Sequence, residues 1–289
     1  MLVDLISVMN REGLRLDGAF YAPAEGVRGP GPVVAVVLIH GSRGNFYDPA
    51  TKTMAEDLSE QGYACLTLNT NAHDTMWFNP AGQNFKGNAF EVLENTMSDL
   101  RAGIDHLSER GYQRIGLLGH SMGAVRVAYY TATQNDPRVA AVVPISPVRL
   151  SYSHYMESED AEEFGSIVAV AQRLIDQGDP EGVLRVRFPI PQFFSAASYL
   201  DKHGPEEKYN LIRLAGGIRV PILTLNGSLE THTRLRGMAQ DLAAASVNSP
   251  RAVTFMIDQG EHSLVNRMAE ASDAVLEWLG ALTPEEARI

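Results

Sequence analysis

The 289-residue chain has a single cysteine, Cys65, so no disulfide can form within it, and its place in the apolar run YACLTL marks it as a core-packing residue. No apolar stretch approaches the roughly 20 residues that a membrane span needs. The opening residues, MLVDLISVMNREG, have no basic start and no long apolar stretch ending in a small-residue cleavage site. A cytoplasmic location is therefore expected, although a secreted form stripped of its leader would look the same. Positive charge is also scarce: 24 Lys and Arg face 35 Asp and Glu, for a formal net charge of -11. Nucleic acid and anionic membranes are held by clustered Lys and Arg, so neither is an expected partner. A homo-oligomer is left open by these counts.

With 45% hydrophobic residues the chain has ample material for a core. Residues 2–22 read as a hairpin around the turn Asn10-Arg11-Glu12-Gly13, with Leu14, Leu16 and Phe20 supplying the alternation of a half-buried pair. VVAVVLIH, at 33–40, has the nearly continuous β-branched character of a strand buried on both faces. Similar runs recur at 63–68, 115–118, 139–145, 220–225 and 252–257. Helical patterns lie between them at 49–61, 88–110, 122–134 and 233–246, and a last helix carries Leu264, Val265, Met268, Val275, Leu276 and Leu279 on one stripe. This alternation predicts an α/β fold: a mainly parallel sheet with helices on both faces. The rhythm breaks between Pro147 and Gly217, too long for an ordinary loop. A small helical insertion is expected there, with an acidic helix at 157–177 and an aromatic-rich stretch at 188–200.

The residues with chemical potential cluster where strands end. The strand IGLLG runs into Gly119-His120-Ser121-Met122-Gly123, and a helix pattern follows at once. This is G-x-S-x-G in a strand-turn-helix context, where a strained turn exposes the serine oxygen and the glycines let backbones cross closely. A serine hydroxyl needs a base. His262 follows the last strand and the turn Gln259-Gly260-Glu261, which puts it at the same carboxyl edge of the sheet as Ser121. His106, His120, His154 and His203 are weaker candidates, with His120 expected to point away by strand alternation. His73 and His232 stand as substrate contacts.

The base requires a carboxylate to hold its tautomer and stabilise its protonated form. Glu230, just past the strand VPILTLNG, gives the chain order serine, acid, histidine; Asp258 is the second choice. A tetrahedral intermediate also needs two preorganised N–H donors. Met122, after the serine, offers one, and Ser42, in the glycine-containing loop His40-Gly41-Ser42-Arg43-Gly44-Asn45, offers the other. His40 and Arg43 of that loop, with Phe193 and Phe194 of the insertion, are candidate substrate-binding residues.

With GHSMG, HGSRGN, GSLE and GEHS in this order, the sequence resembles the α/β-hydrolase superfamily, particularly its carboxylesterase and monoacylglycerol-lipase-like branches, over nearly the whole chain. The resemblance implies an oxyanion donor in the loop after the third strand, a serine elbow after the fifth and a variable cap after the sixth. These map onto residues 40–45, Ser121 and a cap at 147–215, with the hydrolase core at 1–146 and 216–289. The chain departs from the family pattern in having Glu230 where aspartate is commoner. It also has Leu68-Asn69-Thr70-Asn71-Ala72-His73-Asp74 in place of Asp-x-Arg-Gly-x-Gly.

The expected activity is hydrolysis of a small-molecule carboxylic ester through an acyl-enzyme, with no metal and no organic cofactor. An amide, thioester or carbon–carbon bond, or acyl transfer to an alcohol, would use the same triad, and fold alone does not choose among them. A serine nucleophile disfavours haloalkane dehalogenation, which in this fold employs aspartate. A ligand-binding relative without turnover is the reading from another class.

Overall fold

The computed structural model describes residues 3–287. Strands β1 (Asp4–Met9) and β2 (Arg15–Tyr21) form the opening hairpin; Leu2, at the start of the expected span, lies outside the described residues. There follow β3 (Ala35–Ile39), α1 (Pro49–Glu60), β4 (Ala64–Leu68), a small hairpin of β5 (Trp77–Asn79) and β6 (Asn84–Lys86), α2 (Thr96–Glu109), β7 (Ile115–His120), α3 (Met122–Gln134) and β8 (Val139–Ile145). After β8 come α4 (Tyr152–Met156), α5 (Ala161–Asp176), β9 (Val183–Val186), β10 (Gln192–Ser195), α6 (Ala196–His203) and α7 (Leu211–Leu214). The chain closes with β11 (Ile222–Gly227), α8 (Met238–Ala245), β12 (Ala252–Ile257) and α9 (Met268–Gly280).

Eight strands form one sheet in the order β1-β2-β4-β3-β7-β8-β11-β12. β1 and β2 run antiparallel to their neighbours, and every pairing from β4 to β12 is parallel. Period-two alternation divides each central strand between two cores. Val37 and Ile39 pack with Leu100 and Ile104 of α2 and Val125 of α3, whereas Val36 and Leu38 pack with Met54 and Leu58 of α1 and Val275 and Leu279 of α9. Cys65 is fully buried in the second cluster, and burial pushes its thiol pKa up. Because both faces are covered, truncating a side chain such as Leu38 to alanine is expected to cost about 2–5 kcal/mol.

The structure revises four sequence expectations. The helix expected over 88–110 begins at Thr96, after two 3-10 turns at Asn88–Phe90 and Leu93–Asn95. The helix expected from 233 begins at Met238, because Gly237 takes a left-handed φ of 73° and the preceding residues form turns. Val265 is exposed and outside α9, since Leu264 adopts φ 54° and interrupts the stripe. The segment between β8 and β11 is not wholly helical: β9 and β10 pair antiparallel, with Pro189 and Pro191 between them excluding a continuous helix. That segment has its own cluster, in which Tyr155, Phe164, Phe188, Phe194 and Tyr199 are buried together.

Candidate active site

The carboxyl ends of β3, β7, β8, β11 and β12 bring the candidate residues together. Ser121 sits between β7 and α3 with φ 57° and ψ -117°, a region that costs a non-glycine residue about 1–3 kcal/mol and persists where the surroundings impose it. They do so here: the Ser121 N–H donates to the Ile145 carbonyl at 2.9 Å, and Ala124 N–H donates to the Ser121 carbonyl at 3.0 Å. A Cβ on Gly119 would lie 2.2 Å from the Gly123 carbonyl oxygen, and one on Gly123 would lie 2.2 Å from that of Ile39. Both glycines of G-x-S-x-G are therefore required by close backbone approach.

The His262 Nε2 lies 3.0 Å from the Ser121 Oγ, within hydrogen-bond reach. On the far side of the ring, Nδ1 is 3.5 Å from Glu230 Oε1 and makes no hydrogen bond among the described residues. That carboxylate is instead anchored by Ser146, whose Oγ donates a short hydrogen bond to Oε1, and by the Gly227 N–H at 3.3 Å. Glu230 is buried and Asp258 is exposed, so of the two acids only Glu230 faces the imidazole. The contact is long for a hydrogen bond, as such contacts often are before substrate binds.

His120 departs from expectation. Its Nε2–H donates to the His262 carbonyl at 2.8 Å, and the two rings lie 5.1 Å apart. Burial, followed by the neighbouring His262, lowers its pKa to about 4, so His120 is a neutral strut under the loop that carries His262. The signal in the sequence was its adjacency to Ser121; side-chain alternation concealed it, because the strand turns sharply there. Ser146, at the carboxyl end of β8, was likewise missed.

Ser42 and Met122 line one cavity, and among the described residues neither backbone N–H meets a protein acceptor. Met122 is the first residue of α3, where a helix leaves its N–H groups unpaired. His40 does not line this cavity, contrary to expectation. It is 1% exposed, with Nδ1 2.8 Å from the Gly41 carbonyl and Nε2 accepting from the Thr70 N–H at 3.2 Å. Burial, then Arg126, lowers its pKa to about 3. Arg126 donates to the His40 carbonyl at 2.9 Å and pairs with Glu91 at 2.7 Å, and Lys202 pairs with the same carboxylate at 2.8 Å. Burial alone would raise the Glu91 pKa, but the two cations outweigh it and hold it at about 2. This buried triad braces the loop bearing Ser42.

Phe194 is buried and lines the cavity; Phe193, its neighbour on the other face of β10, is exposed. Phe193 and Arg43 border a separate open groove, so neither lines the cavity as expected. His73 is also outside it, 2.8 Å from Asp74 and stacked on Trp77. In their place the cavity recruits Asn88, Gln192, Lys202, His203 and Arg234, residues that share no motif and meet only through the fold.

A family model described as alpha/beta hydrolase fold matches residues 34–177, a span that contains Ser42 and Ser121 and ends before Glu230 and His262. No curated protein sequence matches the chain. Among solved structures, the alpha/beta hydrolase GrgF from Penicillium sp. sh18 aligns with a TM-score of 0.71 at 14% identity, covering 96% of this chain and 98% of that one. A highly thermostable carboxyl esterase from Bacillus coagulans aligns with a TM-score of 0.71 at 12% identity, covering 96% and 98%. Est1E from Butyrivibrio proteoclasticus gives 0.65 at 15% identity, covering 95% and 97%. The sheet order, the strained serine turn and these matches together show that the chain has the α/β-hydrolase fold.

Proposed function

We propose that the protein is a serine hydrolase that cleaves a small-molecule carboxylic ester. The observation that carries the reading is the 3.0 Å approach of His262 Nε2 to the oxygen of Ser121 on its strained turn. Ser121 attacks the ester carbonyl as His262 takes its proton, and Glu230 stabilises the resulting imidazolium. The N–H groups of Ser42 and Met122 receive the carbonyl oxygen as it becomes anionic. Collapse breaks the carbon–oxygen bond, and the departing alkoxide takes the proton from His262. Water, deprotonated by the same histidine, then attacks the acyl-enzyme and frees the acid and Ser121. Residues 147–215 act as a cap, since their Phe194 and Lys202 line the same cavity as Ser42 and Met122.

Esterases among the structural neighbours support ester chemistry as the first substrate class to test. The test is hydrolysis of a series of chromogenic esters by the wild type and Ser121→Ala. The reading expects turnover by the former and a loss of about 10⁶-fold in kcat in the latter, with little change in melting temperature. Undiminished turnover in folded Ser121→Ala would move the nucleophile elsewhere.

A further inference from the structure

The lining of the cavity beside Ser121 runs against the charge of the chain. The formal net charge is -11, yet among the described residues the cavity is bordered by Arg149, Lys202 and Arg234 and by no aspartate or glutamate. Two of these cations are matched from behind: Lys202 by Glu91 at 2.8 Å and Arg149 by Asp241 at 2.5 Å. Arg234 differs. Among the described residues its side chain has no carboxylate within 4.0 Å and no hydrogen-bond acceptor, although it is half-buried against the cavity.

Three further groups on the same lining are incomplete among the described residues, one of them Arg149 Nε, although the other end of that guanidinium pairs with Asp241. Asn88 Oδ1 and His203 Nδ1 have no partner, although the two residues are 1% and 3% exposed respectively. Buried polar atoms are ordinarily paired, and unpaired atoms on residues that line a common space are groups that a polar ligand, or water accompanying it, can complete. Val148, Leu150, Pro189, Ile190 and Phe194 add an apolar part to the same lining that suits a short hydrocarbon chain.

We propose that the cavity selects an ester that also carries a free carboxylate, with Arg234 as the counter-ion for that carboxylate. The inference rests on the serine hydrolase reading and adds to it the class of substrate. A guanidinium presents a planar fork that matches a carboxylate in two hydrogen bonds, whereas Lys202 is already committed to Glu91. Burial disfavours the charge of Arg234; Tyr155 and Glu230 offset this in part, and Arg43 adds repulsion. A bound anion would relieve both penalties. The neutral His203, its pKa held at about 3 by burial and by Lys202, can donate or accept through Nδ1, and Asn88 Oδ1 accepts from a hydroxyl or water accompanying the ligand.

The test compares matched neutral and anionic esters on the intact protein. Methyl hexanoate against monomethyl adipate places the carboxylate on the acyl half; propyl butanoate against 3-(butanoyloxy)propanoate places it on the alcohol half. The expected result is that the anionic member of one pair is favoured by about 10–100-fold in kcat/KM, the size of a charge-assisted hydrogen bond, and that the pair concerned identifies the half bound near Arg234. Arg234→Gln should bring that ratio near unity and Arg234→Lys should keep part of it. Equal or lower kcat/KM for both anionic esters would overturn the inference without any variant, and so would an unchanged ratio in folded Arg234→Gln. Phosphonylation of Ser121 by a fluorophosphonate distinguishes the two levels. If Ser121 is labelled and neutral esters are preferred, only the substrate class is wrong; if Ser121 stays unlabelled and no ester is cleaved, the hydrolase reading itself fails.

Discussion

The two walls of the cavity are made in different ways. The wall from the sheet relies largely on backbone: the turn at Ser121, the N–H groups of Ser42 and Met122, and glycines at close crossings. The wall from residues 147–215 consists of side chains, with Phe194, Lys202 and His203 brought to one place by β10 and α6. Backbone geometry tolerates few sequences, so the first wall carries short motifs. A side-chain surface can be assembled from many positions, so the second carries none. On this account the first wall supplies the chemistry, and the second, together with Arg234 from the segment after β11, supplies the choice of substrate.

The sharpest way to break this comparison is to alter the acid of the first wall. Glu230→Gln is expected to lower kcat by about 10⁴-fold, the scale seen when the orienting carboxylate of a triad is neutralised. Asp258→Asn, at an exposed position, should leave kcat close to wild type. Steady-state kinetics on the two variants decide the matter, and the reverse ranking would transfer the role to Asp258. The 3.5 Å gap between Glu230 and His262 makes this a demanding test, because the contact must tighten as the imidazolium forms.

A smaller effect tests the second wall. Phe193 and Phe194 are adjacent on β10 but face opposite ways, one 45% and the other 1% exposed. Phe194→Ala is expected to destabilise the protein by about 3–5 kcal/mol and to change the ranking of ester substrates, since it opens the cavity. Phe193→Ala should change stability by less than about 0.5 kcal/mol and leave the ranking as it was. Thermal melts and the ester series on both variants measure this. A changed ranking in Phe193→Ala would extend the selective surface into the open groove beside Arg43.

The same contrast accounts for what could be read from the sequence. The apolar runs located every parallel strand of the sheet: β3, β4, β7, β8 and β11 are buried on both faces, which admits little else, and the edge strand β12 keeps an apolar run although Phe255 and Met256 are exposed. Ser121, His262 and Glu230 were legible since each follows such a strand at the sheet's carboxyl edge. The β9–β10 hairpin was not, as its strands are four residues each and its periodicity is too short to distinguish from helix. Arg234 was hidden inside an expected helix; the left-handed Gly237 delays that helix and releases Arg234 into the cavity. His40 was misplaced because a histidine beside a glycine loop looks available, whereas the fold engages both of its ring nitrogens. Lys202 gave no signal at all, since its partner Glu91 is more than a hundred residues away in sequence.

The most direct measurement of the central claim is the site of covalent modification when the protein meets a fluorophosphonate, read by peptide mass spectrometry. A single stoichiometric adduct on Ser121 is expected, forming more slowly in His262→Ala. An adduct on another residue, or an unmodified Ser121 in folded protein, would contradict it.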